Sequence, residues 1–331
     1  MTQPSDPKRM PPSSPGDGNS RVGIRAVSVY RPPTTIDNLE QGARLEADVA
    51  FITNKIGMLA LTRKSAAEDT SDLAAAAVEK LVSEHGLPLA ELDCLVLVTQ
   101  NPDRAGLPHS SAITHKKLGL APRCATFDIG LGCSGYVQGL SVIQAWMSAQ
   151  GFAQGVLVTA DPYSKIIDSA DRDTALLFGD GASATWIAHD CEWHLGATDF
   201  GTQSAQCDAL TRDASGHLSM NGRAVFNFAA TQVPASIERL LAKAQCSLDT
   251  IDYVLLHQGS RYIVETLAKR IGAGERAIFA AGAYGNTVSS SIPMLLAENT
   301  PASAKRLLLC GFGVGLSWAS CILERTERLR P

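Results

Sequence analysis

The chain has no C-x-x-C pair and no cysteine–histidine cluster at zinc-site spacing, although it holds eight cysteines and seven histidines. That pattern predicts free thiols in a reducing, cytoplasmic compartment and no bound metal. No run approaches the roughly 18 apolar residues of a membrane span, and the N-terminal stretch lacks the apolar centre of a secretory signal. A dominant sign of charge is missing too. With 29 Lys+Arg against 33 Asp+Glu, the net charge of −4 argues against a nucleic-acid binder or a polybasic membrane-surface protein. What is present is length: 331 residues, about two domains at roughly 150 each, enough to bury large cores without staples.

Residues 1–20 are mostly Pro, Ser, Gly and charged side chains, with too little to bury to offset the entropy of ordering, and are expected to form a disordered tail. Beyond them, helical patterns alternate with short apolar runs at 92–99, 155–160, 251–256 and 306–310. Strands apolar on both faces need helices on each side, which predicts an α/β fold. A weak repeat is visible as well. A helical segment, an L-x-x-(L/I)-D step, an apolar strand, a glycine-rich turn and a second strand recur roughly 155 residues later in the same order. The repeat divides the chain into halves at 21–190 and 191–331, with a site expected in the cleft where equivalent strand ends meet.

Four places carry candidate chemistry. Cys133 follows a short strand within Gly130-Leu-Gly-Cys-Ser-Gly135, and Val137, Leu140, Ile143 and Met147 then recur at helical spacing. A cysteine at a strand-to-helix turn meets unpaired N–H groups and the positive helix end, which favour a thiolate; the geometry is that of a nucleophile elbow with sulfur for oxygen. The competing reading of such a cysteine is core filler. His257 follows an apolar strand directly, so its imidazole is expected at the strand's C-terminal end, in the cleft. Asn286, in Tyr284-Gly-Asn-Thr287, occupies the turn equivalent to that of Cys133, where a neutral amide can donate to a developing enolate without acting as a base. Gly311-Phe-Gly-Val-Gly-Leu-Ser-Trp318 reads as a flexible loop after the last strand whose N–H groups could join that of Cys133 in an oxyanion hole; it has neither Walker nor Rossmann spacing.

Taken together, the segments around Cys133, DRDTALLFGDGASA, LLHQGS, YGNTVSSSIP and GFGVGLSW, in this order, resemble the 3-oxoacyl-[acyl-carrier-protein] synthase III family of thiolase-fold condensing enzymes, from about Val22 to Leu323. The resemblance implies a duplicated five-layer αβαβα fold, a homodimer, and no cofactor beyond coenzyme A thioesters used as substrates. It implies that Cys133 accepts an acyl group from acyl-CoA, with the Gly313, Val314 and Gly315 loop completing the oxyanion hole. His257 and Asn286 would then assist decarboxylation of a malonyl thioester on acyl carrier protein, giving a 3-oxoacyl product. The amide at Asn286 favours this over relatives of the fold that carry an acidic residue there and acylate alcohols or amines. An acyltransferase of the same fold is the alternative; a silent partner subunit would have no need of an intact Cys-His-Asn set.

The same resemblance assigns carrier contacts. Arg172 matches an arginine near the nucleotide, the Met220–Phe226 segment (with Arg223 and Phe226) the pantetheine tunnel, and Phe312 a gating phenylalanine; Arg261, Lys269 and Arg270 match or adjoin the carrier-protein docking patch. Leu107 is expected in the acyl-pocket wall of the partner protomer. Departures lie around the entrance: Phe51 and Lys55 stand where the family typically has tryptophan and arginine, Ser260 replaces an asparagine, Tyr262 an arginine, and Val314 a glycine. These changes predict a specialised acyl starter and a place in secondary metabolism more than in acetyl-primed fatty acid synthesis.

Overall fold

In a computed structural model of the chain, the structure describes residues 22–326; the tail expected over residues 1–20 lies outside the described residues. The first half supplies strands β1 (Gly23–Tyr30), β2 (Thr34–Asp37), β3 (Ala60–Arg63), β4 (Cys94–Val98), β5 (Ala125–Ile129), β6 (Gln154–Ala160) and β7 (Ala182–Ala188). Its helices are α1 (Asn38–Arg44), α2 (Thr70–His85), α3 (Ser110–Lys117), α4 (Gly135–Gln150) and α5 (Arg172–Ala175). The second half supplies β8 (Trp193–Thr202), β9 (Leu210–Arg212), β10 (Leu218–Met220), β11 (Tyr253–Leu256), β12 (Arg306–Gly313) and β13 (Ser317–Arg325), with helices α6 (Gly222–Lys243), α7 (Arg261–Ile271) and α8 (Ser291–Glu298).

Nine of these strands form one sheet in the order β11-β12-β13-β8-β1-β7-β6-β4-β5. The order is a duplication. In the first half, β1 pairs antiparallel with β7, β7 antiparallel with β6, β6 parallel with β4, and β4 parallel with β5. The second half repeats this: β8 antiparallel with β13, β13 antiparallel with β12, and β12 parallel with β11. Its remaining strand is reduced to a single parallel bridge, Val254 to Ala277. The halves join through one antiparallel pair, Ile24 with Trp193.

Helices close both faces and fill the space between the half-sheets. Outside, α2 packs on β1, β6 and β7, while α6 packs on β8, β12 and β13. Between them, α4 touches β4 and β6 of one half and β12 and β13 of the other, and α8 bridges the halves in the same way. A helix walled on two sides must be apolar nearly all round, and α4 buries Tyr136, Val137, Leu140, Ile143 and Met147. Gly135 lets its first turn lie on the sheet, since a Cβ there would come within 2.4 Å of Val98. The ends of α2 are set locally: Asp69 and Asp72 form a reciprocal capping box, and Gly86 takes the left-handed C-cap. Among the described residues, no helix is long and apolar enough to cross a membrane.

Candidate active site

The three chemistry-bearing residues, Cys133, His257 and Asn286, line one cavity of about 440 Å³ together with Phe312, Gly313 and Val314. Each arrives from a different element. Cys133 sits between β5 and α4, His257 immediately follows β11, and Asn286 lies in the turn before α8. All three are buried.

The Gly311–Trp318 segment is not a flexible loop beyond the last strand. Strand β12 runs through Gly313, the chain turns over Val314–Leu316, and β13 begins at Ser317 as the sheet's final strand. Phe312 pairs with Trp318 and Gly313 with Ser317, so a run of glycines that reads as a loop is held by ladder hydrogen bonds. The hairpin lies against the cysteine. A Cβ on Gly313 would come within 2.7 Å of Cys133 Sγ, and one on Gly311 within 2.4 Å of the Cys133 carbonyl. Gly315 completes the turn at φ +114°, a conformation open to glycine. This close approach lets the backbone N–H groups of Val314 and of Cys133 itself reach the Cys133 sulfur.

Those two donors and the start of α4 favour a thiolate, as the sequence suggested, but burial outweighs them. Desolvation, with the Asp161 carboxylate adding to it, pushes the Cys133 thiol up to about 12. The resting nucleophile is therefore a thiol, and the thiolate expectation is corrected. The environment of His257 moves it the other way. Burial pushes its imidazole down to about 3, with contact to the Val288 backbone opposing, so the ring is neutral at working pH. Its Nδ1 lies 2.8 Å from Ser291 Oγ, and the ring meets Phe312 edge-on at 5.6 Å.

Asn286 is held by backbone and side chain alike. Its N–H donates to the Leu177 carbonyl, and its own carbonyl accepts from Gly179. Its Oδ1 accepts the Val288 N–H at 2.8 Å, which leaves the Nδ2 donors to the cavity. Val288 makes that bond from φ +55°, rare for a β-branched residue. Three successive serines then anchor the turn: Ser289 donates to Asp161 Oδ2 at 2.6 Å, Ser290 meets Thr159 Oγ1 at 2.7 Å, and Ser291 meets His257. Tyr163, packed at a tilt against Phe178 with ring centres 4.9 Å apart and its hydroxyl donating to Gln100 Oε1, walls the cavity with Cys133. Sequence reasoning missed Tyr163, Asp161, Val288 and Ser291. Only the Ser-Ser-Ser run after Gly-Asn-Thr offered a local signal.

Of the expected entrance residues, Phe51, Lys55, Arg223, Phe226 and Ser260 line the cavity. Lys55 Nζ lies 3.9 Å over the Tyr262 ring, which stacks on Phe226 at 5.4 Å, and the Arg172 guanidinium lies 5.8 Å from the Phe51 ring centre. Ser260 is also the N-cap of α7, accepting from the Ile263 N–H. The three docking residues differ among themselves. Arg261 packs on Phe279 and reaches Glu265, Arg270 donates to the Ala230 carbonyl, and Lys269 is exposed. Leu107 is 85% exposed and does not line the cavity of its own chain.

Comparison with known proteins gives the same direction. The model of the family described as 3-oxoacyl-[acyl-carrier-protein (ACP)] synthase III matches residues 127–204, and that of its C-terminal part residues 241–325. A beta-ketoacyl-[acyl-carrier-protein] synthase III of Streptococcus mutans is 33% identical over 323 residues, covering 91% of this chain and 98% of the relative. Among solved structures, a 3-oxoacyl-(acyl-carrier-protein) synthase III superposes with a TM-score of 0.85 at 32% identity, covering 92% of this chain and 99% of the other. The enzyme of that name from Pseudomonas aeruginosa PAO1 gives 0.85 at 28% identity, covering 94% and 100%.

Proposed function

The chain belongs to the 3-oxoacyl-[acyl-carrier-protein] synthase III family, and from that premise we propose that it condenses an acyl group from acyl-CoA with a malonyl thioester on acyl carrier protein. The observation that carries this reading is a thiol, a neutral imidazole and a fixed amide in the wall of one cavity. None of the three is a strong base, which suits bond formation through an enolate better than activation of a hydroxyl.

In the first half-reaction, Cys133 sulfur attacks the acyl-CoA carbonyl, and the oxyanion forms where the N–H groups of Cys133 and Val314 converge. The carbon–sulfur bond to coenzyme A breaks, and the thiol proton leaves with that sulfur. In the second, the malonyl thioester oxygen accepts from His257 Nε2 and Asn286 Nδ2. Loss of CO2 then leaves the electron pair as an enolate, whose carbon attacks the acyl-cysteine. The bond to Cys133 breaks, one proton restores the thiol, and a 3-oxoacyl thioester departs. Donors of this kind are worth about 3–4 kcal/mol each in a dry site.

Around this core the proposal extends to the entrance, the assembly and the setting. Phe51, Lys55, Arg172, Arg223, Phe226 and Ser260 receive the coenzyme A or pantetheine arm, Phe312 packs beside the nucleophile, and exposed Lys269 meets the acidic carrier. The chain works as a homodimer. In support, β5 is an end strand of the sheet with half-buried Phe127 and Ile129, and Leu107 projects outward. The starter is a medium-chain or otherwise specialised acyl group, supported by the altered entrance at Phe51, Lys55, Ser260 and Tyr262. The reaction is placed in a reducing cytoplasm, in keeping with eight unpaired cysteines.

The deciding experiment is intact-protein mass spectrometry after incubation with a panel of acyl-CoAs, wild type beside Cys133→Ala, followed by malonyl carrier protein. A mass gain that needs Cys133 and is discharged with CO2 release supports condensation and names the starter. Discharge only to a hydroxyl or amine acceptor would make the chain an acyltransferase instead, and acetyl-CoA as by far the best donor would remove the specialised starter.

A further inference from the structure

A neutral imidazole carries one proton, so His257 can donate from Nε2 or from Nδ1 but never from both. The ring's own chemistry leaves that choice open, and its polar neighbours are the Ser291 hydroxyl at Nδ1 and the Val288 backbone. Ser291 Oγ, fully buried, lies 2.8 Å from Nδ1 and 3.5 Å from the Gln258 N–H. The Gln258 N–H approaches one lone pair of the hydroxyl oxygen, which leaves the hydroxyl proton and a second lone pair for the 2.8 Å contact with Nδ1. The oxygen cannot drift, because Ser289 and Ser290 bind Asp161 and Thr159 on the opposite half of the molecule, and Ser291 opens α8 directly after them.

We propose that Ser291 is a positioning residue: its hydroxyl donates to His257 Nδ1, holds the proton on Nε2, and thereby makes the imidazole a donor toward the cavity. The inference rests on the reading of His257 as a donor to the malonyl thioester. It adds what makes the ring a donor there, since the opposite tautomer would present a lone pair to the enolate oxygen and repel it. One turn then serves both donors, the Val288 N–H orienting Asn286 and the Ser291 hydroxyl orienting His257.

The test is made on the full chain labelled with [15N]histidine. Two-bond nitrogen–proton correlations at pH 7 distinguish the two tautomers, and the His257 signal is assigned by its disappearance in His257→Asn. The expected wild-type spectrum is the pure Nε2–H form. In Ser291→Ala the Nδ1–H form should appear, and decarboxylation of malonyl carrier protein should fall at least tenfold more than acylation of Cys133; Ser291→Thr should restore both. An Nδ1–H tautomer in the wild type overturns the proposal, and that spectrum decides even if Ser291→Ala fails to fold. So does a Ser291→Ala protein that keeps the Nε2–H form, or one whose tautomer changes while the two half-reactions fall together. A wild type that never decarboxylates a malonyl thioester would instead sink the condensing reading, leaving the spectrum to judge Ser291 by itself.

Discussion

Val288, from a left-handed backbone conformation, donates its N–H to Asn286 Oδ1 at 2.8 Å. An amide side chain has two nearly isosteric ends, and this bond decides which faces the substrate. A β-branched residue at φ +55° is held there at a cost of order 1–3 kcal/mol, set against the fixing of one donor.

Asn286→Asp keeps an oxygen for the Val288 N–H and replaces the donor with a second acceptor. Decarboxylation of malonyl carrier protein should drop about 10²- to 10³-fold, and acyl loading much less. Stopped-flow CO2 release beside mass spectrometry of the acyl-enzyme measures both; equal loss in the two half-reactions would count against the assigned role.

Gly313→Ala places a methyl group 2.7 Å from Cys133 Sγ. The hairpin backbone would have to retreat and carry the Val314 N–H with it, so the rate of Cys133 acylation should fall by about two orders of magnitude. A melting curve run alongside shows whether the fold survives, and undiminished loading would mean that Val314 does not serve the oxyanion.

Acid should expose the burial of His257. In the unfolded chain its imidazole takes a proton below about 6.5, and in the folded protein only near 3. Between those values the unfolded state binds more protons. The stability contribution is therefore whole above pH 6.5 and is lost as pH falls toward 3, by up to about 1.4 kcal/mol per unit. Asp161, raised to about 6 by burial, acts with the opposite sign, its contribution present at low pH and lost as pH rises through 6. Urea titrations of wild type and His257→Asn, which share Asp161, isolate the imidazole: from pH 7.5 to 5 the wild type should lose about 2 kcal/mol more than the variant. Decarboxylation should meanwhile show no imidazole step between pH 5.5 and 8.

At the entrance, Tyr262→Ala removes the ring beneath Lys55 and the face against Phe226. The KM for acyl-CoA should rise roughly fivefold, with kcat changing far less, as expected for about 1 kcal/mol of contact made equally in ground and transition states. A fall confined to kcat would move Tyr262 out of substrate binding.

Cys133, His257 and Asn286 were legible because each stands at the end of an apolar run or in a glycine turn, where local pattern carries the signal. The duplication was legible because the order of elements repeats even though the side chains do not. What stayed hidden depends on distance along the chain. Ser291 meets a partner 34 residues away and Ser289 one 128 residues away, and no local window shows either. The helix start beside Cys133 is visible in sequence and argues for a thiolate, whereas the packing that reverses the argument appears only when Gly311 and Gly313 of the other half close against the cysteine. The 311–318 hairpin was misread for a related reason: five residues of alternating glycine mask a pairing that β13 imposes.

The closed setting of Cys133 bears on how long the protein lasts. A sulfur whose pKa burial pushes up to about 12, and which is only 5% exposed in the cavity wall, is a slower target for peroxide and for alkylating reagents, both of which attack the thiolate. Oxidative wear should therefore begin at exposed Cys207, leaving the nucleophile chemically fresh in an idle enzyme.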